Sequence, residues 1–261
     1  MPFLIDPDSD DILVDHTRMV ERVVSEMRNE TEPLRLEDLA EIAGLSPFYF
    51  NRIFKSVIGI PPGEFATSLR FERAKQMLLT TPASVTEICM EVGYGSLGTF
   101  SSRFKHMVGV TPASFRNLPD AVADMDFSSN YFNASPQIRH IRGRIEGTMT
   151  FPENRKASIF VGIFPDAIAV SRPVVGRMIA EPGPFELPFI PYGRWVLLAA
   201  ALPQANDAMD HLLPAGKIMV ASTEPFNLFP ENEVVKQHLT FREPHPLEPP
   251  LVTALPALLM N

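Results

Sequence analysis

Phe48, Tyr49, Asn51 and Arg52 fall within five consecutive residues. Their side chains complement the edges of base pairs. A guanidinium can bond guanine bidentately, an asparagine amide can do the same with adenine, and an aromatic edge can meet a thymine methyl. Ser46 stands just before them, a hydroxyl suited to capping a helix, and Lys55 just after, a point charge suited to a phosphate oxygen. Further along, Leu97, Gly98, Thr99, Ser101 and Ser102 form a second cluster, followed by Arg103 and Lys105. Its smaller side chains suit methyl contacts and groove shape more than a hydrogen-bond code. Catalytic groupings do not occur: there is no H-E-x-x-H, G-x-S-x-G, P-loop or dinucleotide fingerprint. His140, His211, His238 and His245 are scattered without metal-ligand spacing. The single cysteine, Cys89, excludes an internal disulfide and a Cys-rich metal site. The expectation is a non-enzyme with no cofactor and no metal.

The elements that must carry the two clusters are helices. Met19, Val20, Val23, Val24 and Met27 recur at helical spacing over His16 to Arg28, with Asp15 as the expected N-cap. A second helix, with Leu36, Leu39, Ala40 and Ala43 on one face, stops at Gly44. A third starts at Ser46-Pro47, a cap followed by proline at the first helical position, and runs to Gly59. A fourth starts after Pro61-Pro62 and runs to about Thr80. The region then repeats itself. Phe50, Phe54, Lys55, Gly59, Pro62 and Phe65 recur as Phe100, Phe104, Lys105, Gly109, Pro112 and Phe115, at an offset of 50. Upstream of the turn the offset is 49: Leu39 pairs with Ile88, Ala40 with Cys89 and Gly44 with Gly93, because Tyr94-Gly95 replaces Leu45. Each copy is helix, glycine turn, helix and a G-x-x-P stop, the outline of a helix-turn-helix. Phe50, Ile53, Phe54, Phe100, Phe104, Met107, Tyr94 and Cys89 are expected to pack inward, and Gly44 and Gly93 to take positive φ. The helix from Pro62 to Thr80 would be about 28 Å long. It could hold two recognition helices about 34 Å apart, one DNA turn.

Charge supports this only locally. The whole chain carries −8, but residues 35–118 hold nine Lys/Arg against seven acids, a local +2. No apolar run is long enough for a transmembrane helix, and the acidic start lacks the basic and apolar regions of a signal peptide. A cytoplasmic protein with no membrane partner is expected.

LEDLAEIAGLSPFYFNRIFKSVIGIPPGEF, LRFERAKQMLL and SVTEICMEVGYGSLGTFSSRFKHMVGVTPASFR together resemble the DNA-binding domain of the AraC/XylS family over residues 16–118. The resemblance implies a transcriptional regulator whose partners are double-stranded DNA and RNA polymerase, with a homodimer and a small-molecule effector as further partners. Family members usually place this domain last; here it comes first. They often carry a large polar residue or arginine at the position of Ser102, and here Arg103 is the next residue along. Repair proteins that share the module need a reactive cysteine, whereas Cys89 aligns with the inward Ala40.

Prolines divide the chain: 9 in residues 1–120 and 17 in residues 121–261. Residues 13–118 are expected to form the all-α DNA-binding domain, 119–136 a linker, and 137–261 an all-β sandwich. The β assignment rests on seven short runs cut by Pro and Gly: IRHIRGRIEGTM, SIFVGIFP, AIAVSRPVVGRMIA, FELPFIP, RWVLLAAAL, KIMVAS and VVKQHLTF. Phe185, Leu187 and Phe189 should share one face, and Pro191-Tyr192-Gly193 should turn. This part resembles a prealbumin-like or carboxypeptidase-regulatory-like β-sandwich, without the Y-R-G-S ending of a transthyretin-like hydrolase. Two roles stay open for it: sensing a small ligand, or docking a protein. In RWVLLAAAL both alternating phases are apolar, so both faces should be covered, one by the inter-sheet core and the other by the 254–260 tail, the DNA-binding domain or a second subunit.

Overall fold

The computed structural model describes residues 7–30, 34–123, 131–133, 143–152, 157–165, 169, 172–203, 208–213 and 218–260. The first part is helical: α1 Pro7–Asn29, α2 Leu36–Ala43, α3 Pro47–Ile58, α4 Pro62–Thr80, α5 Val85–Glu91, α6 Leu97–Val108, α7 Pro112–Arg116 and α8 Leu118–Ala123. Helix α1 corrects one expectation. Asp15 lies inside it, because Pro7 starts the helix and acidic residues suited to a helix N-terminus follow at once.

Local chemistry fixes the other boundaries. The Ser46 hydroxyl accepts from Tyr49 N at 3.4 Å, and the Ser96 hydroxyl accepts from Thr99 N at the same distance. Ser84 and Glu87 form a reciprocal capping box at α5, which holds the Glu87 carboxyl below its ordinary pKa. Helices α3 and α6 end at Gly59 (φ 93°) and Gly109 (φ 99°). Gly44 (φ 69°) and Gly93 (φ 79°) make the two turns, a left-handed conformation that glycine adopts without a Cβ penalty.

The repeat persists into packing. Phe54 meets Phe50 at 5.6 Å and Phe65 at 5.7 Å, and Phe104 meets Phe100 at 5.7 Å and Phe115 at 5.8 Å. The first trio belongs to a core with Val20, Val23 and Leu39, the second to a separate core with Phe71, Ile88 and Cys89. Tyr94 stacks on Phe71 with rings 5.7 Å apart and is buried.

The C-terminal region is β-rich, with two sheets. Its strands are β1 Tyr131–Asn133, β2 Gly143–Thr150, β3 Ala157–Phe164, β4 Val175–Ile179, β5 Phe185–Ile190, β6 Gly193–Pro203, β7 Met219–Ser222, β8 Phe226–Leu228 and β9 Val234–Thr240. A short helix, α9 Ala208–Leu212, and a 3-10 turn at Leu255–Met260 complete it. The larger sheet runs β1-β4-β3-β6-β7 with β8 beside β6; the smaller runs β5-β2-β9, and its β2–β9 pair is parallel. Ile159, Val161, Leu197 and Ala199 of the larger sheet share a core with Ile145, Leu187 and Leu239 of the smaller.

The other face of β6 is covered from within the chain in part: Ala200 and Leu202 pack with Phe160, Met178, Leu255 and Leu258, while Val196 and Leu198 border a cleft. Of residues 119–136, expected to link the halves, 119–123 belong to α8, whose Leu118 and Val122 lie in the second helical core, and Tyr131–Asn133 pairs with β4. Phe189 does not share a face with Phe185 and Leu187. The β2–β5 register shifts between Gly143 and Ile145, so Ile190 takes the buried place. Phe189 is left 38% exposed at φ 62°, a backbone conformation that costs a bulky residue free energy. His140 lies outside the described residues.

Candidate nucleic-acid interface

Helices α3 and α6 start in the open. Phe48 is 82% exposed on the first turn of α3, and Leu97, the first residue of α6, is 42% exposed. Ser46, Gly98, Thr99 and Ser102 are exposed around them, while Asn51 and Ser101 are half-buried. Arg52 is exposed, with its guanidinium 5.0 Å over the half-buried Tyr49 ring, a contact that orients the fork without using its donors. Arg103 is exposed. A Cβ on Gly98 would approach only Ser96 Oγ, at 3.8 Å, so this turn offers a bare surface where α3 offers Phe48.

Neither helix contains an acidic residue, and each carries one Arg and one Lys, Arg52 and Lys55 on α3 and Arg103 and Lys105 on α6. With the positive helix N-terminus added, both present a field suited to a polyanion. Lys55 and Lys105 are exposed near the C-terminal ends, Lys55 about 10 Å along the axis from Phe48. Lys55 also lines a cleft beside the C-terminal region, which separates it from the Phe48 cluster.

The C-terminal ends of both helices face that region. The Val108 carbonyl accepts from Ala254 N at 2.9 Å and the Gly109 carbonyl from Arg172 at 3.4 Å. Ile58 and Gly59 line the cleft, whose floor is the outer face of the larger sheet. Thus the first turns of both helices stay open, the C-terminal end of α6 is bonded to the C-terminal region, and that of α3 borders the cleft. Sequence reasoning did not find Arg28 and Lys75, which bond the C-terminal segment, or Thr253 of that segment, which bonds the Met107 carbonyl; no periodicity or motif marks those pairings.

Cys89 is buried, with Sγ 3.6 Å from the Tyr94 carbonyl oxygen, and burial pushes its thiol pKa up, away from the reactive thiolate. Burial also raises the Tyr94 phenol, against the pull of Arg70 and Arg103. Among the described residues, no group of three or more His, Cys, Asp or Glu is placed to hold a metal, and no helix is long and apolar enough to cross a membrane.

Two equivalent capped helices, open at their N-termini and joined by α4, define a tandem helix-turn-helix DNA-binding unit. A family profile for a helix-turn-helix domain matches residues 39–118. The HTH-type transcriptional activator AarP of Providencia stuartii is 30% identical over 106 residues, covering 39% of this chain and 78% of that protein. The HTH-type transcriptional regulator ArgR of Pseudomonas aeruginosa is 33% identical over 102 residues, covering 39% of this chain and 31% of that protein. The bifunctional transcriptional activator/DNA repair enzyme AdaA of Bacillus subtilis is 37% identical over 91 residues, covering 35% of this chain and 43% of that protein. The chain belongs to the AraC/XylS family of helix-turn-helix transcriptional regulators. It spans less than half the length of ArgR and AdaA.

Proposed function

We propose that this chain regulates transcription by placing α3 and α6 in two successive major grooves on one face of a DNA duplex. The observation that carries the reading is that both capped helices begin in the open, with Phe48 and Leu97 exposed on their first turns. In it, Arg52 and Asn51 read base edges, Phe48 and Leu97 meet thymine methyls, and Gly98, Thr99, Ser101, Ser102 and Arg103 fit the second groove. Ser46, Lys55 and Lys105 serve the phosphates. RNA polymerase is the further partner of a regulator of this kind, and a second copy of the chain another.

A test uses duplexes selected from a random pool by the full chain. Phe48→Glu with Leu97→Glu places a carboxylate at each groove. Because both positions are exposed, the fold should survive by circular dichroism while sequence-specific binding is lost. Unchanged binding would refute the assignment.

The C-terminal region fits a β-sandwich of prealbumin-like or carboxypeptidase-regulatory-like type, and the cleft favours a sensing role for it. The inter-sheet space is filled with side chains. The open volume, about 1520 Å³, lies instead between the outer face of the larger sheet and the helical domain. Phe160, Val196, Leu198 and Ala200 make an apolar floor, with Lys75, Arg194 and Arg242 among its polar lining. An apolar floor walled by charged side chains such as Lys75, Glu72, Arg194 and Glu243 suits a small amphipathic effector. Saturable binding of 8-anilinonaphthalene-1-sulfonate that is lost in Leu198→Trp supports this reading; binding unchanged in that variant opposes it.

A further inference from the structure

The two helix-turn-helix cores are separate, and α4 runs through both. Phe65, Ala66 and Leu69 belong to the first, Phe71, Ala74 and Leu78 to the second. A single shared helix fixes the distance between two small cores but leaves each able to roll about it. A second segment of the chain makes the same crossing. Leu247 packs on the first core, and Arg28 of α1 donates to the carbonyls of Pro246 at 3.2 Å and Glu248 at 2.9 Å. Midway, Lys75 of α4 donates to the Leu251 carbonyl at 3.2 Å. At the far end Val252, Ala254 and Ala257 are buried in the second core, Thr253 Oγ1 donates to the Met107 carbonyl at 3.3 Å, and Ala254 N donates to that of Val108 at 2.9 Å.

This segment is short. Seven residues from Leu247 to Ala254 reach at most about 24 Å, and α4 advances about 20 Å from Phe65 to Leu78. It is also stiff. Pro244, Pro246, Pro249 and Pro250 fix their own φ angles and favour extended backbone before them. Between them a turn is locked: Glu248 N donates to the His245 carbonyl at 2.8 Å, and the Glu248 carboxylate accepts from His245 N at 2.9 Å and pairs with Arg242.

We propose that residues 246–257 are a second tether between the two helix-turn-helix units, setting the rotational register in which α3 and α6 meet DNA. The segment thereby selects the spacing of the two half-sites, although no residue of it reads a base. The inference rests on the two-groove reading above. The same segment walls the cleft through Glu248 and Leu251, so an occupant there would act on register directly.

Full-length Pro249→Gly/Pro250→Gly softens the tether without entering either core, and Arg28→Ala releases its first-unit end. Each is titrated against the selected duplex, the same duplex with two base pairs inserted between the half-sites, and an isolated half-site. The insertion turns one half-site by about 70° around the duplex axis. Wild type should lose about a hundredfold in affinity on insertion, and the variants about tenfold, with isolated half-site affinity equal in all three. A reduced penalty in either variant supports the tether. An unchanged penalty in both, with wild type protecting two segments of the selected duplex, overturns the tether alone. Protection of a single segment by wild type overturns the two-groove reading, and the tether with it.

Discussion

Replacing Lys75 by methionine should remove a pH dependence of stability that the buried amine imposes. Lys75 is 3% exposed, and burial lowers its pKa from 10.5 to about 8, with Glu72 pulling the other way. At one pKa unit per 1.36 kcal/mol, a fall of about 2.5 units corresponds to on the order of 3 kcal/mol. The unfolded chain holds this proton more tightly than the folded one. The cost of charging Lys75 in the fold is therefore full below about pH 8, shrinks as pH rises, and is gone above pH 10.5.

At pH 7 the methionine variant escapes this cost but loses the bond to the Leu251 carbonyl, which contributes about 1.5–3 kcal/mol for a charged donor, so the two proteins should be of similar stability. Between pH 7 and 10.5 the wild type should gain on the variant by on the order of 3 kcal/mol. Urea unfolding of both proteins across that range measures the difference, and titrations common to both cancel in it. A difference that stays constant with pH would refute the reasoning and show that the ammonium is solvated.

Arg52→Ala should weaken binding to a selected duplex by about 1–3 kcal/mol and relax discrimination at one base pair, read by titration against single-base variants; equal losses on all sequences would make Arg52 a phosphate contact. Lys105→Ala should weaken all sequences alike and reduce the salt slope by about 0.9, and an unchanged slope counts against the phosphate role. Cys89 should resist iodoacetamide in the native protein and react on unfolding, since burial withholds the thiolate; rapid native labelling would contradict its place in the core.

Features written in adjacent residues were legible. Ser46-Pro47 and the glycines at 44, 59, 93 and 109 set boundaries through local bonds, and the Phe50/Phe100 series kept its spacing because both copies solve one packing problem. The two apolar phases of β6 point to a cover on each face but not to which one: Leu255 and Leu258 cover Ala200 and Leu202 through contacts remote in sequence, and Val196 and Leu198 border the cleft. Three-residue strands such as β1 and β8 carry too little pattern to stand out. The displacement of Phe189 depends on a register shift that alternation alone does not announce. Residues 244–251 fall outside the seven β-like runs and carry no assignment, since carbonyls bonding Arg28 and Lys75 leave no mark on side-chain type. Of the candidate site, residue types and helix positions were legible; the bonded C-terminal end of α6 and the cleft beside α3 depend on how distant segments fold back.

The central claim is that one chain reads two grooves. Hydroxyl-radical footprinting of the full chain on a selected duplex, with mass measured by light scattering at the same concentration, tests it most directly. One chain per duplex should protect two segments, about 10 base pairs apart on one face. Protection confined to a single segment, or two segments only when two chains are bound, would contradict it.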